Sequence, residues 1–212
     1  MNIRRFSFFW TLLFSVFLAG CGGSGHAGGL RNGDPGDNDL NVVVAFGDSL
    51  TNGSECECPP YPRRLDALIE KTVLNTGVSG GKATDNIGRT QEAIDKYHPA
   101  FMLILYGVND IILSSEISTI VDALDQMVVI CEENRVVPVL ATYPEPIEGR
   151  ALFAPRTLLL NEGIRELAKS HGIKCVDLER EFDADADLYE PDGLHPNDAG
   201  TQIMALAFAD LF

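Results

Sequence analysis

Val42-Val43-Val44-Ala45-Phe46-Gly47-Asp48-Ser49-Leu50-Thr51-Asn52-Gly53 is the stretch from which the fold is read. Its first five residues are an unbroken apolar run, the composition of a strand buried on both faces. The backbone must turn sharply after it, and Gly47 reaches angles that a β-carbon forbids. Ser49 stands just past the strand end, beside a glycine and an aspartate, where an exposed nucleophile would sit. Gly, Asp, Ser and Asn are also common turn residues. Taken alone, the stretch reads equally well as an ordinary strand-to-helix turn.

Downstream, short apolar runs alternate with helical periodicity. Tyr61, Leu65, Leu68 and Ile69 mark one helix face, and Thr72 to Asn75 reads as a second strand followed by a Gly-rich turn from Gly77 to Gly81. A helix is expected from about Thr84, with Ile87 and Ile94 inward and His98 capping its end. Phe101 to Tyr106 is the most continuous apolar run and reads as a central strand. Ile117, Ile120, Val121, Leu124, Met127, Val128 and Cys131 share a helical spacing. Val136 to Ala141 is a fourth strand, 155–170 a helix stopped by His171-Gly172, and Ile173 to Leu178 a fifth strand. A polar loop with Asp183, Asp185 and Asp187 precedes a last helix beginning near Pro196. Five strands alternating with helices predict one α/β domain, a parallel sheet covered on both faces. In such sheets the site lies outside the carboxyl ends of the strands. Ser49, Gly80, Asn109 and the pair Asp192 and His195 all fall there.

The front of the chain is a separate unit. Arg4 and Arg5 precede a nearly unbroken apolar run from Phe6 to Ala19, too short to span a bilayer comfortably and read as a secretory signal over 1–20. It ends in Leu18-Ala19-Gly20-Cys21, which resembles the bacterial lipoprotein signal. That resemblance implies cleavage before Cys21, a lipid on its sulfur, and a protein held at the bacterial cell envelope, anchored to a membrane rather than crossing it. Residues 21–40 are rich in Gly, Asp and Asn and read as a flexible tether carrying His26. The folded domain is expected over 41–212.

The net charge is −15 over 212 residues. Loss of the signal removes two arginines and no acid, so the mature chain is more negative still. That excess argues against a nucleic-acid partner, whose phosphates need basic side chains. Cys131 and Cys175 read as buried core thiols. Cys56 and Cys58, one residue apart in a loop after Ser49, read as a structural loop that a disulfide or a two-thiolate metal site could use. No second ligand pair lies at zinc-site spacing, and no nucleotide or flavin pattern is present, so neither cofactor nor metal is expected.

Ester hydrolysis by a serine needs a nucleophile, a base, an orienter for that base and donors for the oxyanion. Ser49 is the candidate nucleophile. His195 is the histidine without a structural explanation of its own, and Asp192, three residues earlier, can fold back to bond its ring. Asn109, after the central strand, offers an amide donor, and the Gly80 backbone N–H can approach a substrate closely. Gly77-Val78-Ser79-Gly80-Gly81 also matches the nucleophile elbow of α/β-hydrolases. Only one strand precedes it, too few for that fold, so Ser49 is preferred to Ser79.

Four blocks then stand in order: Gly47-Asp48-Ser49-Leu50, Asn75-Thr76-Gly77-Val78-Ser79-Gly80, Gly107-Val108-Asn109-Asp110 and Asp192-Gly193-Leu194-His195-Pro196. As a set they resemble the SGNH, or GDSL-type, serine hydrolases. The resemblance implies a flavodoxin-like three-layer fold with a five-stranded parallel sheet, a Ser49–His195–Asp192 triad, and an oxyanion hole from the Ser49 and Gly80 amides and the Asn109 side chain. It assigns Asp48 a mainly structural part in the nucleophile turn. The function expected is a serine esterase acting on carboxylic esters or thioesters through an acyl-Ser49 intermediate, on a small-molecule, lipid or glycan ester. Two readings stand beside it. One is a carbohydrate esterase, with Tyr61, Tyr106, Tyr143 and Tyr189 as the aromatics available for a sugar. The other is a noncatalytic ligand-binding surface lipoprotein.

Overall fold

The structure, a computed structural model, describes residues 35–212. The signal peptide, Cys21, His26 and the tether as far as 34 lie outside the described residues. Ordered chain precedes the expected start at Asn41, because the first strand, β1, spans Asp39–Gly47. Asn38 is already fastened, its side-chain amide donating to Asn134 O at 2.8 Å.

After β1 come α1 (Ser49–Asn52), α2 (Tyr61–Leu68), β2 (Thr72–Asn75), α3 (Ala83–Tyr97), β3 (Pro99–Leu105), α4 (Val108–Ile112), α5 (Ile117–Glu133) and β4 (Val137–Ala141). A 3-10 turn at Glu148–Phe153 leads into α6 (Ala154–His171), β5 (Lys174–Val176), α7 (Leu178–Phe182), a second 3-10 turn at Ala186–Leu188, and α8 (Asp198–Ala209). The five strands form one sheet in the order β2-β1-β3-β4-β5, and every pairing is parallel. Helices α3, α5 and α6 pack side by side on one face, and α2 pairs with α8 on the other. This is a three-layer, flavodoxin-like α/β/α sandwich. The order reverses between β1 and β3, so the crevice beyond their carboxyl ends is the favoured ligand position.

The apolar runs form the core as their composition requires. Val43, Val44, Ala45 and Phe46 of β1 and Met102, Leu103, Ile104 and Leu105 of β3 are all buried. Helix α5 turns Ile120, Leu124, Met127, Val128 and Cys131 inward, at the spacing that predicted it.

Several local readings change. The fifth strand is only three residues long, because the Asp177 side chain accepts from Arg180 N and starts α7 within the stretch expected to be strand. The last helix does not open on Pro196. Asn197 is its N-cap, its side-chain oxygen accepting from Gly200 N at 3.1 Å, which proline cannot do. His98 does end α3, but with its backbone. It sits in the left-handed region (φ 46) and its carbonyl accepts from Asp39 N at 2.7 Å. Gly172 is the left-handed cap of α6, as expected, while the His171 ring before it bridges Asp125 (2.6 Å) and Glu132 (3.2 Å) of α5.

Candidate active site

Ser49 sits at the carboxyl end of β1 as the first residue of α1, and is 6% exposed. Gly47 is required there for space rather than for its backbone angles, which lie outside the left-handed region. A β-carbon on it would stand 2.1 Å from Thr51 Oγ1 and 2.7 Å from Leu105 O. The sequence reading had the residue right and the reason wrong: α1 and β3 close on this point too tightly for any side chain.

Four further contacts fix the turn. Asp48 Oδ1 accepts from Leu50 N at 3.0 Å, and Asn52 N closes on Asp48 O at 2.9 Å. From the end of β2, Asn75 Nδ2 donates to Thr51 O at 2.9 Å, and Asn52 Nδ2 returns a bond to Gly77 O at 3.1 Å. The second block thus locks the first in place.

His195 Nε2 lies 2.9 Å from Ser49 Oγ across 146 residues of sequence, and His195 Nδ1 lies 2.5 Å from Asp192 Oδ2. Asp192 folds back as the sequence allowed. Its Oδ1 accepts from Leu194 N and His195 N, both at 3.0 Å. Burial opposes its charge, but those backbone donors and the His195 ring outweigh it and hold the carboxyl below its ordinary value. It is therefore a carboxylate facing a ring nitrogen, which puts the ring proton on Nδ1 and leaves Nε2 as an acceptor for the Ser49 hydroxyl. Such a chain can take the hydroxyl proton as the oxygen attacks an acyl carbon.

Gly80 is in the left-handed region (φ 75), with nothing within 4 Å of where a β-carbon would be. Among the described residues, neither its amide nor that of Ser49 donates to another group of the chain. Asn109, the second residue of α4, is more committed than the sequence suggests. Its Nδ2 donates to Gly81 O at 3.0 Å and lies 3.4 Å from Asp48 Oδ2, the latter long for a hydrogen bond. Among the described residues the Ser79 hydroxyl bonds no histidine: it meets Ser54 Oγ at 3.0 Å.

Asp48 has the structural part expected of it, while the bracing parts of Tyr143, Asn161 and Asp110 behind the site were missed by sequence reasoning. Asp48 is wholly buried and touches three strand ends, through Leu50 N, Asn109 and the hydroxyl of Tyr143, which donates to Asp48 Oδ2 at 2.6 Å. Asn161 of α6 clamps the Tyr143 backbone through both its N–H and its carbonyl, each at 2.8 Å. Asp110 accepts from Ala83 N, and from the backbone and hydroxyl of Thr84, tying α4 to the start of α3. Tyr143 directly follows β4, so its place at the carboxyl edge was the available signal. Tyr61, Tyr106, Tyr143 and Tyr189 are all buried and so present no aromatic platform to a sugar.

Burial raises the Asp48 carboxyl from 3.8 to about 7, against the opposing bonds from Tyr143 and Leu50 N. Between about pH 4 and pH 7 the folded chain keeps a proton there that the unfolded chain has lost. The stability this group contributes is therefore complete below about pH 4 and lost as pH rises through about 7. Asp48→Asn, which cannot ionise, is expected to flatten the pH dependence of the urea midpoint between pH 5 and pH 8. The same slope in both proteins would mean that Asp48 ionises at an ordinary value.

The family described as GDSL-like Lipase/Acylhydrolase matches residues 45–203, from the end of β1 into α8. The chain belongs to that family. Among solved structures, a lipolytic protein of the G-D-S-L family from Veillonella parvula DSM 2008 superposes with a TM-score of 0.72 at 20% identity, covering 81% of this chain and 97% of its own. A catalytic mutant of an acetylxylan esterase from Geobacillus stearothermophilus superposes with a TM-score of 0.69 at 18% identity, covering 82% and 94%. At such identities the likeness is one of fold. A curated relative named an uncharacterized lipoprotein, YqeF of Bacillus subtilis (strain 168), is 30% identical over 161 residues, 69% of this chain. The match spans 60% of that relative's length. The family is one of acylhydrolases and esterases, and the four blocks quoted from the sequence are segments that meet around Ser49 in this chain.

Proposed function

We propose that the chain is a serine esterase cleaving small or flexible carboxylic esters or thioesters through an acyl-Ser49 intermediate. The observation that carries this is the Asp192–His195–Ser49 hydrogen-bond chain at the carboxyl edge of the sheet. His195 takes the Ser49 proton as Oγ attacks the acyl carbonyl, and the oxyanion collects in the hollow offered by the Ser49 and Gly80 amides and Asn109. His195 then returns the proton to the departing alcohol or thiol. A water deprotonated by the same ring releases the acid. Asp192 holds the tautomer and stabilises the imidazolium formed twice per cycle. The test is exposure of the protein to a fluorophosphonate followed by peptide mapping. Label on Ser49, abolished in His195→Ala, is the expected result; label on Ser79, or on no serine, sinks the reading.

Asn109→Ala is expected to lower kcat by about 100- to 1000-fold with little change in KM, the usual cost of one oxyanion donor. Steady-state kinetics on a short-chain ester checks this, with a melting curve to confirm the fold. A loss confined to KM would make Asn109 a ground-state contact only.

An acetyl ester on a glycan is the second reading, favoured by the acetylxylan esterase among the structural neighbours. With the four tyrosines buried, a sugar would have to be held by polar contacts along the rim. For the front of the chain we propose cleavage after residue 20 and lipidation of Cys21, which holds the folded domain, already ordered at Asn38, at the cell envelope. The lipoprotein name of the Bacillus relative supports this.

A further inference from the structure

The loop from Ser54 to Pro60 takes no part in the proposed hydrolysis, yet it joins the two sides of the site. On one side Ser54 Oγ meets Ser79 Oγ at 3.0 Å, next to Gly80. On the other, Cys58 Sγ lies 3.7 Å from Thr201 Oγ1 of α8, the helix that follows His195. Arg64 fastens the same side, donating to Pro59 O at 3.0 Å while its guanidinium reaches Gln202 and Asp198 of α8. Within this strap Cys56 and Cys58 are disulfide-bonded, two positions apart in sequence with their Cα atoms 5.1 Å apart.

As a staple that bond is weak. The constraint a disulfide puts on the unfolded chain grows with the loop it closes, and this one closes three residues. Pro60 packs so closely on Gly53 that a β-carbon there would lie 2.3 Å away, so the loop ends are held by packing. The bond sets the shape of the stretch between them, from which Ser54 and Cys58 reach the two sides of the site. Both cysteines are half-buried and line an open hollow of about 500 Å3 with Glu57, Glu190, Asn197 and Asp198. Exposed disulfides are the ones that exchange readily, whereas buried structural ones resist reduction. Thr201 Oγ1 donates to Asp198 O at 3.0 Å, so its lone pairs face Cys58 and can accept an S–H once the bond opens.

We propose that Cys56–Cys58 is a thiol–disulfide exchange site, opened by a dithiol without negative charge, and that opening it loosens the strap between the Gly80 and His195 sides of the active site. One thiolate of the dithiol attacks Cys56 Sγ, the Cys56–Cys58 bond breaks, and its electron pair leaves on Cys58, which takes a proton beside Thr201. The second thiol of the reductant then displaces Cys56. The dithiol ends as a disulfide, and Cys56 and Cys58 end as two thiols. The preference for uncharged or cationic thiols follows from Glu55, Glu57, Glu190 and Asp198 around the bond, of which Asp198 alone is paired with an arginine among the described residues. An approaching thiolate is repelled by that ring, and an anionic carrier is repelled further.

The coupling to the active site rests on the hydrolase reading; the exchange site does not. The full-length protein is incubated with dithiothreitol, alkylated and peptide-mapped, and its Ser49 fluorophosphonate labelling rate is followed in parallel. Cys56 and Cys58 are expected to become alkylated together under native conditions, with Ser49 labelling slowed about tenfold, as modest misplacement of reacting groups costs. Cys56→Ser/Cys58→Ser is expected to label at the slow rate and to ignore thiols. Compared per thiolate at low salt, cysteamine should open the bond roughly ten times faster than glutathione, the gap closing in 1 M salt. A bond that survives excess dithiothreitol, or glutathione matching cysteamine at low salt, overturns the exchange site. Opening with unchanged Ser49 labelling overturns the coupling. Ser49 unlabelled in both states defeats the hydrolase reading, while alkylation still decides the exchange site.

Discussion

Ser49→Ala is expected to lower kcat on a short-chain ester by on the order of 10⁶-fold while leaving the fold and KM nearly unchanged. The loss is large because the other groups have nothing to act through once the oxygen is gone. His195 accepts from Ser49 Oγ at 2.9 Å, and without that hydroxyl its remaining route is direct attack of a water on the ester, with no acyl-enzyme intermediate to divide the barrier. For the same reason His195→Ala should cost about as much, and Ser49→Ala/His195→Ala no more than either alone. That non-additivity separates a catalytic unit from two independent contributions. It also tests the noncatalytic lipoprotein: if Ser49→Ala kept the biological function in full, the groove would be a binding site. The substitution is mild for folding, since Ser49 is a small residue at the start of a four-residue helix whose cap is the preceding Asp48.

Which parts of this were legible in the sequence follows from the range of the forces involved. The β1 and β3 runs were readable because a strand covered on both faces must be apolar throughout, and Val43 to Phe46 and Met102 to Leu105 are. The parallel sheet and the edge where the candidates gather followed from the alternation of strands and helices, whereas the strand order came from the structure. Long-range polar contacts left no such pattern. Nothing in Tyr143-Pro144-Glu145-Pro146 says that the tyrosine turns inward onto Asp48, 95 residues away. Asn161 clamping Tyr143, and the His171 ring set between two carboxylates of α5, are the same kind of fact. Gly47 shows the same limit in packing: the sequence supplies a glycine, and only the approach of Thr51 and Leu105 says that it is needed for room. Short elements failed because caps decide them. Asp177 and Asn197 each bond a backbone N–H three residues on, and so moved the end of β5 and the start of α8.

The second large effect turns on one oxygen. Asp192→Asn is expected to lower kcat by about 10⁴-fold, as when a base is held in the wrong tautomer. Asp192 Oδ1 accepts from the backbone N–H groups of Leu194 and His195, both at 3.0 Å, while Oδ2 faces His195 Nδ1 at 2.5 Å. An asparagine keeps the first pair only by placing its carbonyl oxygen at Oδ1, which puts its NH₂ where Oδ2 was. That group can only donate, so His195 Nδ1 must become the acceptor and the ring proton moves to Nε2. Nε2 then points a hydrogen at Ser49 Oγ and cannot receive one. The backbone turn is intact, so the melting temperature should change little while turnover collapses. Nitrogen NMR of the His195 ring reads the tautomer directly and should show protonation at Nε2 in the variant and at Nδ1 in the parent. A drop of less than tenfold with the tautomer switched would mean that His195 is not the base. The same small drop with the tautomer unchanged would mean that the two backbone bonds, rather than the ring contact, are what Asp192 is there to make.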